Sequence, residues 1–580
     1  MSKGKKAKST TPPAIAKGGK VPKTSIPQVE KNQDTSIDDG SKFVAKKYSL
    51  VNVWIISNFL KILLSIGYHS TDFEVHRNWL AITYNLPINQ WYTDETSPWT
   101  LDYPPCFAYF EWILSHLVPP FVKRDGCLDL VQQGDYGLPT IFYQRFTVLV
   151  SEMVLLFALQ WYINTCKSHS ESRRGYVIAS SLILSPGLLI IDHIHFQYNG
   201  MMYGILVLVI NSARLKKYLM CGFWFSLLLC FKHIYLYLAP AVFVFLLRDY
   251  CLNFKSKSWN PFKLINWVNS IKLGLVVILT FGISFSPFIY YNQIPQLLER
   301  LFPFSRGLTH AYWAPNFWAI YSFFDRLLIQ IYKNIPLSRI PLYKIFKFDP
   351  LLLLDPKFLN TSTRGIVGDT EFLVLPTITP KLTFFLTLFY QVMCLIPLFI
   401  QPTFDKFMGA MSLCGYASFL FGWHVHEKAI LLVIFPITFI IVKDKRLLPA
   451  FNLLVSCGYV SLFPLIFTSS EWLIKVLYTF LWYVIYSFNF RNVTRIPKHL
   501  ANSNNEFILD RFINLYILGI LAILLVISLI DLFEHKFEFL KKLQFLKFII
   551  ISVYCGIGII SSWNGFSWLY FVNDSIFKDD

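Results

Sequence analysis

Four runs in this chain set carboxylates, imidazoles and amines side by side next to apolar segments. They are Asp72-Phe73-Glu74 with His76 and Arg77; Leu101-Asp102-Tyr103-Pro104-Pro105; Asp192-His193-Ile194-His195-Phe196-Gln197-Tyr198-Asn199; and His424-Val425-His426-Glu427-Lys428. Lys232 with His233, and Arg300, Arg306 and His310, make two smaller groups. Ionisable side chains at membrane depth are expensive, so such clusters point to function by default. Lys428, Lys232, Arg306 and the imidazoles of His424 and His426 are donors suited to a phosphate leaving group. A carboxylate such as Asp72 could take the proton from an attacking hydroxyl. Asp102, Asp192, His193, His195, Gln197, Asn199 and Glu427 are the other candidates for the same site. The chemistry these types suggest is transfer of a group from a phosphate ester to a hydroxyl.

Each run also has a plainer reading. Asp72 follows Thr71, and Thr71 with Glu74 spells a capping box, where an acid simply suits the helix dipole. Asp102 before Tyr-Pro-Pro fits a turn, and the histidines of the third run could be interfacial polar residues. The fourth run packs four ionisable side chains into five residues between apolar segments, which a bland loop does not need. No metal site is expected: His-x-His spacing suits a strand better than one helix face, and no HExxH occurs. The ten cysteines form no CxxC pair, so neither a zinc site nor a disulfide framework is indicated. Glycine-rich nucleotide loops are missing as well, so no soluble nucleotide or other cofactor is expected; a lipid-borne phosphate donor would need no such loop.

The elements that must position these residues are membrane spans. The chain has 580 residues, 54% of them hydrophobic and only 15% charged, and a mean hydropathy of +0.46. Soluble chains carry about 25% charged residues. A span needs roughly 20 apolar residues. Fourteen stretches approach this, near 48–68, 140–165, 175–191, 198–214, 217–231, 233–248, 270–291, 381–400, 406–422, 428–442, 447–467, 471–488, 511–533 and 543–565. Residues 1–47, rich in Lys, Ser, Thr and Pro and without an aromatic before Phe43, read as a disordered basic tail rather than a signal peptide.

The net charge of +18 could suggest nucleic acid, but its distribution says otherwise. With the amino terminus in the cytoplasm, alternating spans put Lys167, Arg173, Arg174, Arg214, Lys216, Lys217, Arg248, Lys443, Lys445, Arg446, Arg491 and Arg495 on that side. This is the positive-inside pattern. Both termini then lie in the cytoplasm, and two long segments, 69–139 and 292–380, lie in the lumen with all four polar runs. Residues 71–85 read as an amphipathic helix in the interface plane. The luminal Trp79, Trp91, Trp99, Trp313 and Trp318 read as belt aromatics that could alternatively stack on sugar rings.

Taken in order, TDFEVHRNWLAITYNLPINQWY, WTLDYPP, DHIHFQYNG, RLFPFSRGLTHAYWAPNFWA and FGWHVHEKAIL resemble the endoplasmic-reticulum glucosyltransferases that use dolichyl-phosphate glucose. The resemblance runs from about residue 48 to the carboxyl end. It implies an all-α polytopic GT-C fold, with a shared module over 48–400 and a variable one over 401–580. HIHFQYNG and GLTHAYWAPNFWA are similar to the branch that adds the second glucose, in α-1,3 linkage, to a monoglucosylated lipid-linked oligosaccharide. It also implies inversion at the anomeric carbon, no required metal, and two lipid-linked substrates handled among membrane lipids, with no nucleic acid; it leaves protein partners open. The family's first-loop acid falls on Asp72, the expected general base, and its His-Val-His-Glu-Lys motif on His424, His426, Glu427 and Lys428, expected near the donor phosphate.

Rival readings are a transporter or scramblase of lipid-linked sugars, a mannosyltransferase of similar architecture, and the first-glucose enzyme of the same family. The first should carry polar clusters in mid-span or on both faces, and should show duplicated halves; neither is apparent. The residues alone leave open whether Asp72, Asp102 or Asp192 is the base.

Overall fold

In an apolar surrounding every backbone N–H and C=O must be satisfied within its own segment, and a long apolar run therefore winds into a helix. The computed structural model follows this rule throughout. It describes residues 47–577 apart from 255–260, 303–306, 311–312, 335–371, 467, 469, 497–507, 534–535 and 539–545. The basic tail before Lys47, Arg306 and the sequon at Asn360 lie outside the described residues. The described residues form one compact unit, and among them no strand longer than an isolated bridge occurs.

The principal helices are α1 (Val51–Leu63), α2 (Thr71–Asn85), α3 (Pro105–His116), α4 (Leu138–Ser151), α5 (Met153–Asn164), α6 (His169–Ile183), α7 (Asn199–Arg214), α8 (Tyr218–Phe231) and α9 (Ala239–Leu246). They continue with α10 (Trp267–Tyr290), α11 (Phe317–Asn334), α12 (Pro380–Ile400), α13 (Phe404–Phe421), α14 (Leu431–Thr438), α15 (Leu448–Val460), α16 (Trp472–Val493), α17 (Ile508–Phe533) and α18 (Leu546–Val572). A π-helical turn, Leu189–Phe196, carries the third polar run toward α7.

All fourteen apolar stretches fall on helical segments. Nine of these, among the described residues, are long and apolar enough to cross a membrane. The chain is therefore a multi-pass, all-α membrane protein. The other five stretches fall on α1, α7, α8, α13 and α14, which run from 8 to 18 residues. α13 explains why composition is a weak guide there: every residue from Asp405 to Phe421 is buried, so it meets protein on all sides rather than lipid. By contrast, α10, α12 and α17 keep most of their surface outward and carry the exposed Ile, Leu and Phe expected of lipid-facing helices.

α2 is packed into the protein, with nine of its fifteen residues buried beneath α3 and the π-helical turn. One expectation is corrected there. Trp79, Trp91, Trp313 and Trp318 are likewise buried and not belt aromatics. Trp79 donates its indole N–H to the Thr100 carbonyl at 3.0 Å, and Trp318 donates to that of Gly422 at 3.1 Å. A buried Trp needs such a partner for its N–H.

Candidate active site

α2 starts where it does because Ser70, in extended conformation, offers its Oγ to the Asp72 N–H. Ser70 is thus the N-cap, and the capping-box reading on Thr71 is corrected. Ser70 also donates to the His195 carbonyl at 2.6 Å, with its Oγ 2.8 Å from His195 Nδ1. One serine therefore caps the helix and ties it to the third polar run. Glu74 does not reach back to the cap. It accepts from Arg77 and from the Gly134 N–H, while Arg77 donates to the Asp129 carbonyl at 2.7 Å. His76 lies 2.8 Å from Glu111, whose carboxyl is raised by burial even against that imidazole. Of the first run, then, Glu74, His76 and Arg77 hold the surrounding loop and Asp72 faces the site.

Asp72 is the centre of the arrangement. Its Oδ2 accepts from Gln197 Nε2 at 2.6 Å and from Lys428 Nζ at 2.7 Å, and lies 3.4 Å from His195 Nδ1. Its Oδ1 makes no hydrogen bond among the described residues, and the side chain is 25% exposed. Burial alone would raise this carboxyl, but the Lys428 ammonium and His195 outweigh it and hold Asp72 well below the usual carboxylate range. The network runs on. Gln197 Oε1 accepts from Asn199 Nδ2 at 2.8 Å, and Asn199 Oδ1 accepts from Lys232 Nζ at 3.0 Å. Lys232 sits over the Tyr103 ring, 5.0 Å from its centroid. Burial and the charge of Lys428 lower it to about 8, against the opposing pull of Asp192, Asp72 and Asp102. Asp102 is thereby placed within the field of the same lysine.

The third run splits three ways. His195 joins Asp72. Asp192 instead takes the Gly200 N–H at 2.6 Å and Asn199 Nδ2 at 2.9 Å, completing the start of α7. His193 turns the other way, with Nε2 2.9 Å from Glu152 Oε2, and Lys61 donates to both oxygens of Glu152 at 2.6 Å. Arg145 adds bonds to the carbonyls of Tyr68, His193 and Ile194. A buried ion pair and an arginine thus brace the turn from behind. Phe196, at φ 100°, is the residue that absorbs the bend.

The fourth run approaches from the end of α13. Its backbone pairs with residues 307–309: His424 N–H donates to the Leu308 carbonyl, His424 Nδ1 lies 2.7 Å from the Gly307 carbonyl oxygen, and Thr309 bridges Val425. His424 has φ 49°. His426 and His310 rings pack 4.0 Å apart, and His310 lies 3.7 Å from Glu427. Glu427 is 1% exposed, neither oxygen has a hydrogen-bond partner among the described residues, and burial raises its carboxyl to about 7. His310, His426 and Glu427 bring potential ligand atoms within 4.8 Å of one another.

Residues far apart in sequence, from α2, the π-helical turn, the end of α8 and the segment after α13, therefore converge on one polar network. Comparison with known proteins says what such a network belongs to. Residues 57–566 match the ALG6, ALG8 glycosyltransferase family. The chain belongs to that family. Among ALG6, ALG8 relatives, a Debaryomyces hansenii protein is 68% identical over 92% of this chain and 96% of its own length. A Candida albicans protein is 65% identical over 92% and 93%, and a Saccharomyces cerevisiae protein 51% identical over 96% and 97%. All three are named dolichyl pyrophosphate Glc1Man9GlcNAc2 alpha-1,3-glucosyltransferase. As a member of the ALG6, ALG8 family, the chain is a membrane glucosyltransferase.

Sequence reasoning passed over Ser70, Lys61, Arg145 and Glu152. Lys61, Arg145 and Glu152 were legible as isolated charges inside apolar runs, the same signal that marked the clusters.

Proposed function

We propose that this enzyme transfers glucose from dolichyl-phosphate glucose to the terminal glucose of monoglucosylated dolichyl-diphosphate oligosaccharide, forming an α-1,3 linkage with inversion. The relatives' name supplies the acceptor. The observation that carries the mechanism is Asp72 with one oxygen held by Gln197 and Lys428 and the other unengaged, in a partly exposed position. The unengaged oxygen accepts the proton of the acceptor hydroxyl as that oxygen attacks the anomeric carbon. Dolichyl phosphate leaves from the opposite face, which requires one base and no covalent intermediate.

Lys428 has two roles in this reading. In the resting enzyme it neutralises Asp72. When the donor enters, its phosphate competes for the ammonium, since charge-assisted bonds to phosphate are strong. Withdrawal of Lys428 removes the main charge depressing Asp72 and makes it a better base when substrate is present. Lys232, His424 and His426, with Arg306, supply the remaining positive charge and donors for the phosphate. Asp72, Gln197 and Lys232 come from the proposed module 48–400, and Lys428 from 401–580, so the site forms where both contribute. The site faces the lumen of the endoplasmic reticulum, with both termini cytoplasmic.

The test is in-vitro transfer by purified protein, with dolichyl-phosphate glucose, an acceptor ending in one glucose, and EDTA present. Product with a new α-1,3-linked glucose is expected. An acceptor lacking that glucose but used equally well would move the enzyme to the first-glucose step. Transfer abolished by EDTA and restored by one divalent ion would assign His310, His426 and Glu427 to a metal.

A further inference from the structure

At the end of the bundle away from Asp72 there is a hollow of about 530 Å³, a size typical of small-molecule sites. α1 starts beside it, α6 starts beside it, and α16 ends beside it, contributing Val53, His169 and Asn489. The same three helices reach the catalytic side at their other ends: the turn after α6 carries His195, and Glu471, just before α16, accepts from the N–H of Tyr68, after α1. The hollow therefore opens at the face opposite the network that binds substrate.

Its chemistry is one-sided. The walls carry Lys47, His169 and Arg173, the hydroxyls of Tyr48, Tyr176 and Tyr486, and no carboxylate. Lys47 Nζ and Tyr48 Oη lie 3.2 and 3.0 Å from the same atom, His169 Nε2. Arg173 follows His169 by four residues, one turn further along the same face of α6. Lys47 and Tyr48 thus meet at His169 Nε2, which can accept from only one of them, and no carboxylate among the described residues lines the hollow. Residues 1–47, with eleven lysines against four acids, carry the same sign of charge as these walls.

We propose that this hollow binds the phosphodiester headgroup of an anionic membrane phospholipid. A phosphate oxygen accepts from Lys47, Arg173 and the tyrosines, while the acyl chains run along the outward apolar side of α1, where Ile55, Ile56 and Phe59 are exposed. Each basic residue near an anionic leaflet adds favourable energy. The shared chemistry is a phosphate ester, and free phosphate is its other source. The lipid assignment rests on the basic end being the cytoplasmic one, where anionic lipid is concentrated; the phosphate chemistry does not.

The test is native mass spectrometry of the full chain in detergent with phosphatidylinositol, phosphatidylcholine or inorganic phosphate added. Wild type is expected to retain phosphatidylinositol on the order of tenfold better than phosphatidylcholine. The Lys47→Gln/Arg173→Gln variant is expected to lose that preference while keeping wild-type transfer activity, which shows that it is folded. Equal retention of the two lipids by wild type, or an unchanged preference in an active variant, overturns the site. Displacement of phosphatidylinositol by millimolar inorganic phosphate overturns the lipid as its occupant. Tryptic mapping of Lys47 exposure in vesicles reads the orientation separately.

Discussion

Asp72→Asn isolates the base from the scaffold because the two Asp72 oxygens do different things. All three partners, Gln197, Lys428 and His195, meet Oδ2. An asparagine can set its amide oxygen in that place and keep those contacts, leaving its NH2 where the unengaged oxygen was. The variant then loses proton acceptance and little else. General-base catalysis is worth about 10² to 10⁴ in rate, or roughly 3–5 kcal/mol of barrier at 1.36 kcal/mol per tenfold. The expected result is a fall of that size in single-turnover transfer, with donor KM changed by less than about threefold because Lys428 still faces the phosphate.

Lys428→Gln should give the opposite split. Asp72 loses its chief depressing charge and stays a competent base, while the phosphate loses a cation, so donor KM rises about tenfold or more as for a lost charge-assisted bond of roughly 1.5–3 kcal/mol. Transfer by Asp72→Asn within threefold of wild type would refute the base assignment and move it to Asp102 or Asp192. Of these, Asp192 has both oxygens engaged by Asn199 and Gly200, which makes Asp102 the next to test.

Lys232, lowered to about 8 by burial and Lys428, gives a pH signature: its charge is present below that value, so transfer should decline as pH rises through about 8, and Lys232→Arg should push the decline to higher pH. Its effect on stability has the other sign, because the unfolded lysine still binds a proton up to about 10.4; between those values the unfolded state holds more protons and stability rises with pH. Glu152→Gln strands the buried Lys61 charge and should cost about 3–5 kcal/mol, read as a drop in thermal midpoint, whereas Glu152→Gln with Lys61→Met should recover most of it. Asn360 should carry sugar in cells and Asn492 and Asn573 should not; sugar on Asn492 would reverse the orientation.

The fold was legible because long apolar runs have one solution in lipid. Where the sequence misled, the cause was a partner that no single segment reveals. Composition cannot show that α13 is enclosed by protein, nor that Trp79 and Trp318 find carbonyls at Thr100 and Gly422 and so leave the membrane interface. The capping box was a local spelling, Thr71 with Glu74, that lost to a longer-range one: Ser70 satisfies both the helix start and the turn around His195, while Glu74 is drawn off by Arg77 and Gly134.

The polar runs name residues that the fold brings together around Asp72, but not the division of labour among them. Asp192, His193 and His195 look like one cluster in sequence, yet successive side chains on a helical turn point in different directions. They therefore leave in different directions: Asp192 to the start of α7, His193 to the Lys61–Glu152 pair, His195 to Asp72. Only His195 of the three reaches Asp72, and the other two brace the turn that carries it. The same logic explains why charges outside the recognised runs matter. Placing Asp72 opposite Lys428 requires the turn to hold its bend at Phe196, and Arg145, Glu152 and Lys61 do this from the apolar interior. A buried charge pair is weak evidence for stability in itself; here it fixes the position of the turn that carries Gln197 and His195 to Asp72.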